Sequence, residues 1–218
     1  MSHYESSQLA QLQQRVQALL ENKDRVIVAV AGVPGAGKST LVERMVEVLT
    51  SCGVETRVLP QDGYHFYREQ LARFDNPDEA FRRRGAPFTF DGARFVASVK
   101  RVKAGETVWA PSFDHAKKDP VENDICIEPS AKVVFVEGNY VGLKDEPWSE
   151  LASVVDELWV VQTAPEIVRE RIVQRHLKAG IAKNLEEAAE RADGSDWQNA
   201  LYVMGHTREA NATVSMDN

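Results

Sequence analysis

The sequence predicts an α/β fold in which a mainly parallel sheet is covered by helices on both faces. Three observations carry that prediction. Residues 26–30, 132–136 and 157–161 are nearly continuous apolar runs without polar alternation, the pattern of strands buried on both faces. Helix-spaced segments lie between and after them, as βαβ units require. The first run leads directly into Gly32-Val-Pro-Gly-Ala-Gly-Lys-Ser39, after which Leu41, Val42, Met45, Val46, Val48 and Leu49 recur at roughly helical spacing.

Residues 6–22 place Leu9, Leu12, Val16, Leu19 and Leu20 on one helical face. Packing on the chain's own sheet is the default for such a helix, with partner binding as the alternative. Gly53 closes the helix after the loop, and residues 55–59 form a second strand. That strand ends in Pro60-Gln-Asp-Gly-Tyr-His65, a polar-aromatic cluster at a strand's carboxyl end, where open α/β sheets bind ligands. Residues 66–130 are charged and punctuated by proline. Asp91 caps a helix there with Phe95, Val96, Val99 and Val102 as its apolar stripe. Residues 107–110 and 124–127 read as short strands. Residues 62–130 are thus expected to be a substrate-binding elaboration of one domain spanning 1–218. The strand at 132–136 ends in Glu137-Gly-Asn-Tyr140. A charged helix at 164–178, helices at 184–193 and 196–205, and a short strand at 212–216 complete the reading.

Composition narrows the function classes. The 218 residues carry 26 Lys and Arg against 33 Asp and Glu, a net charge of −7, which disfavours general nucleic-acid binding. No apolar run approaches the roughly 20 residues of a membrane span, and residues 1–10 lack the apolar stretch of a signal peptide. Cys52 and Cys126 are too few and too isolated for a disulfide framework or a zinc site. The expectations are a cytoplasmic, reducing location and partners that include neither nucleic acid nor membrane, with a homodimer left open.

The loop carries the most specific chemistry. It reads G-x-x-x-x-G-K-[ST] with a strand before and a helix after, the context that phosphate binding demands. Gly32, Val33, Pro34, Gly35, Ala36, Gly37, Lys38, Ser39 and Thr40 are therefore the candidate ATP-binding residues. Backbone N–H groups and the following helix's positive end would face the phosphates. Lys38, read as an exposed loop cation with little packing role, would reach the β- and γ-phosphates, and the Ser39 hydroxyl would hold Mg²⁺. The acidic partner near the metal has two candidates. Asp156 and Glu157 precede their apolar run and so lie at its amino end. Glu137 follows its run and is the better choice. Asn22-Lys-Asp-Arg25 resembles a guanine-reading motif, but Arg25 stands where an Asp is needed and the stretch precedes the loop, so a regulatory GTPase reads poorly.

With Asp62-Gly-Tyr-His65, Glu137-Gly-Asn-Tyr140 and the basic helix after Pro165 in place, the chain resembles the P-loop kinases of the uridine kinase, phosphoribulokinase and pantothenate kinase family, from about Val26 to Asn199. The resemblance implies a P-loop NTPase three-layer sandwich with a helical lid at about 169–195. It also implies transfer of the γ-phosphate of ATP to a hydroxyl of a small metabolite such as a nucleoside, a sugar or a pantothenate-like precursor. The family's catalytic Asp corresponds to Asp62. Its P-x-Y-D-x substrate stretch is similar to Pro111-Ser-Phe-Asp114-His115, with Phe113 in place of Tyr, and its acidic residue after the next buried strand matches Glu137. Gly63-Tyr64-His65 departs from the usual uridine kinase continuation, so the substrate does not carry over.

The same resemblance makes Arg171 and Arg175, on one face of the basic helix with Lys178, lid residues acting on the phosphates. The alternative is a solvated face with local ion pairs to Glu166 and Glu170. Asp62, Tyr64, His65, Arg84, Phe113, Asp114, His115, Glu137 and Tyr140 form the expected substrate-binding set, and Lys38, Asp62, Arg171 and Arg175 the catalytic one. Which of Arg82, Arg83 and Arg84 faces the site is open. His176, Cys126 and Asp196–Asn199 receive no role. A second function class, an ATP-binding switch or scaffold without metabolite kinase activity, stays beside the kinase reading.

Overall fold

The structure is a computed structural model that describes residues 1–216. Six strands form one sheet in which every pairing is parallel. In chain order they are β1 (Ser2–Glu5), β2 (Val26–Ala31), β3 (Thr56–Pro60), β6 (Val133–Glu137), β7 (Glu157–Gln162) and β8 (Ala212–Ser215), with β4 (Val108–Asp114) and β5 (Asp119–Ile127) paired apart from them as an antiparallel hairpin. The sheet order is β1-β8-β7-β2-β6-β3. The central strands alternate between two cores, as a period of two requires. Val26, Val28, Val30, Val133 and Phe135 face α1 (Leu9–Leu20) and α2 (Lys38–Ser51), whereas Ile27, Ala29, Ala31, Val134 and Val136 face α5 (Gly92–Lys103). Both faces are covered, which gives the three-layer α/β sandwich that the apolar runs predict.

α1 buries Leu12 and Val16 completely against this sheet. Its apolar face is therefore spent on the chain's own core and not offered to a partner. β1, which the sequence reading lacks, pairs among the described residues only with β8. It is polar and only half-buried at alternate positions, so nothing local marks it as a strand. β4 and β5 run longer than the two short segments read from sequence, because Pro111 and Pro120 are accommodated within a hairpin whose register shifts between Ala110 and Ser112. Asp91 caps α5 as expected, its carboxylate accepting the Arg94 N–H at 3.0 Å.

Two sequence candidates lie at the sheet's amino end and take structural roles. Asp156 accepts the Ile27 N–H at 2.7 Å and pairs with Lys23 and Lys103. Glu157 binds Arg15 and the Trp159 indole. Arg25 donates to the carbonyls of Ala131, Val102 and Glu128, tying the start of β2 to neighbouring segments.

The hairpin is pressed onto the carboxyl end of β3. A Cβ added at Gly63 would stand 2.0 Å from the Pro111 carbonyl oxygen, so the turn over Gln61–Tyr64 can seat the hairpin only with glycine there. Gly63→Ala is expected to destabilise the fold by about 1–3 kcal/mol through overpacking, read as a lowered Tm. An unchanged Tm would disprove the close approach.

After β7, α6 (Pro165–Lys178) and α7 (Leu185–Arg191) pack around a small core of their own, with Val168, Ile172, Val173, Ala182, Ala188 and Ala192. A π-helical turn over Ala192–Asp196 joins α7 to α8 (Trp197–His206). The two helices read at 184–193 and 196–205 thus form one almost continuous helical run.

Candidate active site

Parallel register brings the chemistry to one edge. Glu137, at the end of β6, stands opposite Val30 of β2 and Pro60 of β3. The phosphate-binding loop, the turn carrying Asp62 and the segment 138–140 therefore leave the sheet side by side. Two adjoining cavities open there. One, of about 280 Å³, is lined by Pro34, Gly35, Gly37, Lys38, Ser39 and Thr40 with Asp62, Glu137, Asn139, Arg171 and Arg175. The other, of about 420 Å³, is lined by His65, Arg84, Phe113 and His115 among others. Pro34, Asp62, Asn139 and Arg175 line both, so they mark the junction.

The loop shows why its residue types are needed. Gly37 caps α2 in a left-handed conformation, φ 93°, which L side chains rarely adopt. Lys38 follows as the first helical residue. The reading of Lys38 as an exposed cation is corrected here: it is 7% exposed. Its ammonium donates to the Val33 carbonyl at 3.1 Å and to Asn139 Oδ1 at 2.7 Å. Burial pushes its pKa below the ordinary lysine value, opposed by the carboxylates of Glu137 and Asp62. Ser39 Oγ donates to Glu137 Oε2 at 3.2 Å. Burial raises the Glu137 pKa, opposed mainly by Lys38. A hydroxyl beside a carboxylate at the mouth of a phosphate loop is a donor set suited to Mg²⁺, which usually takes one or two protein ligands and fills its shell with phosphate oxygens and water. Among the described residues no cluster of three or more His, Cys, Asp or Glu offers an all-protein metal cage. Gly32, Val33 and Ala36 shape the loop from behind, and the Ala36 carbonyl accepts the Thr163 hydroxyl.

Asp62 is exposed at the junction. Among the described residues no donor engages its carboxylate; only its backbone carbonyl is used, by the His65 N–H and the His65 ring. The carboxylate is thus free to accept a proton or a hydrogen bond from a molecule in the second cavity. His65 lies against Phe90 and Phe113, at ring separations of 3.9 and 4.8 Å, instead of beside Tyr64. Of the three consecutive arginines, Arg84 lines the second cavity. Its guanidinium donates to the Phe66 carbonyl and to Asp119, both at 3.1 Å, and lies 5.7 Å from the Phe113 ring centre. Arg82 pairs with Glu79 on the surface.

Several expected contacts are corrected. Tyr64 is buried edge-on against Phe95 and lines neither cavity. Tyr140 is also buried; its hydroxyl donates to the Gly85 carbonyl at 2.5 Å and burial pushes its pKa far up. Asp114 closes the hairpin turn by accepting the N–H groups of Ala116 and Lys117. The Lys117 amide is the main influence holding its carboxyl below the usual range. Glu137 lines the loop cavity and not the second one.

Arg171 and Arg175 line the loop cavity from α6, while Lys178 lines neither cavity. Arg171 donates to the carbonyls of Gly35 and Met216. Among the described residues Glu166 and Glu170 make no ion pairs; the partners of this helix come from the π-helical turn, with Arg169 on Asp193 and Arg175 3.9 Å from Asp196. Three wall residues were not assigned from sequence. Asn139 holds Lys38, and Asp196 takes His176 Nε2 at 2.7 Å. Asn199, buried from solvent, joins them in lining the second cavity. Asn139 was within reach of the strand-end rule, two residues past Glu137. The other two, in the π-helical turn and in α8, enter the wall only through tertiary packing.

The family model described as Phosphoribulokinase / Uridine kinase family matches residues 27–179. A provisionally named uridine kinase of Schizosaccharomyces pombe is 39% identical over 197 residues, 88% of this chain and 84% of that protein. The uncharacterized protein YggC of Escherichia coli (strain K12) is 35% identical over 88% of this chain and 78% of its own length. A crystal structure described as a provisional fructose transport system kinase, from Silicibacter sp. TM1040, superposes with a TM-score of 0.82 at 31% identity and covers 93% of this chain and 98% of that one.

Proposed function

The chain belongs to the phosphoribulokinase / uridine kinase family, and from that premise we propose that it transfers the γ-phosphate of ATP to a hydroxyl of a small metabolite. The observation that carries the reading is the pair of adjoining cavities with, at their junction, an Asp62 carboxylate that has no partner among the described residues. The loop cavity holds the triphosphate, with backbone N–H groups and Lys38 on its oxygens. Ser39 and Glu137 would hold Mg²⁺, whose charge would offset that of the β- and γ-phosphates. The acceptor lies in the second cavity with its hydroxyl at Asp62. Asp62 takes the hydroxyl proton as the acceptor oxygen forms its bond to the γ-phosphorus, the bond between that phosphorus and the β–γ bridging oxygen breaks, and ADP leaves. Positioning and electrostatics dominate such transfers. Acceptor-dependent ADP release across a metabolite panel tests the reading; nucleotide-dependent protein binding without turnover would favour a switch instead. α1 gives the switch little support, since its apolar face is already buried.

Arg175 is the lid residue best placed to act on charge that develops during transfer, because it borders both cavities. Arg175→Ala is expected to lower kcat by roughly 10²-fold with little change in ATP affinity, since an interaction made only in the transition state appears in kcat. Kinetics beside calorimetry with an ATP analogue check this; an unchanged kcat would return the residue to a solvated face.

A further inference from the structure

The second cavity is strongly cationic for an acidic protein. Its lining includes Arg68, Arg84, Lys118, Arg175 and Arg191, against Asp62 and Asp196 as its only carboxylates among the described residues, while the whole chain carries −7. Arg175 and Arg191 belong to α6 and α7, and in the mechanism proposed above Arg175 acts at the phosphates. The remaining three lie on the other wall. Arg68 opens α3 (Arg68–Leu71), Arg84 follows α4 (Pro77–Arg82), and Lys118 sits in the turn of the β4–β5 hairpin. ATP phosphates bound at the loop do not need this second set.

Arg84 is the fixed member. Its side chain is 14% exposed, and a guanidinium is seldom placed so deep without a strong partner. Its one carboxylate partner, Asp119, is shared with the backbone N–H of Arg68. Both hydrogen bonds of the guanidinium run from Nη2, and the buried Nε has no partner among the described residues. The Phe113 ring supports the group from the side. Arg68 and Lys118 are exposed at the same cavity and add charge without fixed geometry. One held arginine with two exposed cations around it is an arrangement suited to an oxyanion.

We infer that the phosphate acceptor is itself an anion: a small hydroxylated metabolite whose carboxylate or phosphate ester seats against Arg84, Arg68 and Lys118 while its hydroxyl lies at Asp62. The inference rests on the kinase reading above and narrows it, since neutral nucleosides and neutral sugars would leave this wall unmatched. The cavity volume of about 420 Å³ suits a molecule of that size.

The test separates the anion subsite from turnover. Protein saturated with Mg²⁺ and a non-hydrolysable ATP analogue, so that the loop is filled, is titrated with inorganic phosphate by calorimetry. The wild type is expected to bind it, with affinity that falls as salt rises. Arg84→Gln should bind it roughly 10–100-fold more weakly, as loss of a charged hydrogen-bond donor implies. Lys118→Gln, in an exposed turn where folding is not at stake, should weaken it by a smaller factor. A second arm compares acceptor-dependent ADP release for D-glycerate against glycerol and for fructose 6-phosphate against fructose. The anionic member of a pair should be favoured, which of the two pairs reacts tells carboxylate from phosphate ester, and the preference should shrink in both variants through KM. Absence of phosphate binding, equal binding by wild type and both variants, or equal use of neutral and anionic acceptors would overturn the inference. Failure of the ATP analogue to bind would instead sink the kinase reading, and the phosphate titration repeated without nucleotide would still decide whether Arg84 and Lys118 form an anion site.

Discussion

Lys38→Ala is expected to lower turnover by roughly 10²–10³-fold, the usual worth of one preorganised donor on developing charge, and to weaken Mg·ATP binding with it. The ammonium is not a free surface charge. It is held between the Val33 carbonyl and Asn139 Oδ1 and buried beside Glu137 and Asp62, so it is already aimed into the loop cavity before nucleotide arrives. Its pKa is pushed down by that burial, and triphosphate oxygens would restore the preference for the charged form. Truncation also leaves Val33 O and Asn139 without their donor. Asn139 and the lysine itself border an open cavity where water can replace the ammonium, so a modest fall in Tm is expected and not unfolding. Calorimetry with Mg·ATP, run beside ADP release and thermal denaturation, reads all three quantities. Wild-type affinity together with full turnover would remove Lys38 from the mechanism.

The parts of this site that were legible in the sequence share a reason. The loop, Asp62 and Glu137 each sit at a fixed offset from the carboxyl end of a buried parallel strand, and apolar runs such as Val133–Val136 announce those strands without help from tertiary structure. Arg171 and Arg175 were legible because helical spacing places them on one face. The residues that misled are chain neighbours of residues that line the two cavities. Tyr64 is two residues from Asp62, but its ring packs into the core against Phe95. Tyr140 is three residues from Glu137, and its ring is needed in the core beside Phe90 and Trp148. Asp114 lies beside Phe113 and His115 but is consumed by its own turn. Proximity along the chain carries no information about the side on which a residue emerges from an irregular segment. Asp196 and Asn199 escaped for the opposite reason. They lie in the π-helical turn and in α8, far along the chain from the loop, Asp62 and Glu137, and only tertiary packing brings them to the cavity.

The second large effect is expected at Asp62. Asp62→Asn keeps the size of the side chain and removes the proton acceptor, and phosphoryl transfer should fall by roughly 10²–10⁴-fold, the range for a positioned general base. The fold should be unaffected, because the carboxylate makes no hydrogen bond or ion pair among the described residues and the backbone carbonyl, which His65 uses, is unchanged. ATP affinity should not fall, since the substitution removes a negative charge from the border of a site for an anion; a slight gain is the expected sign. That combination separates a base from a structural acid. A residue needed for folding would lower Tm with activity, and a metal ligand would weaken Mg·ATP binding with activity. A base lowers transfer alone. A loosely bonded transition state asks less of the base, which would bring the loss to the low end of the range. The measurement is single-turnover transfer to an accepted metabolite beside ATP-analogue calorimetry on the same variant. Near-normal transfer would leave Asp62 as a turn residue at the cavity junction, and proton acceptance would then pass to solvent or to the acceptor's own anionic group.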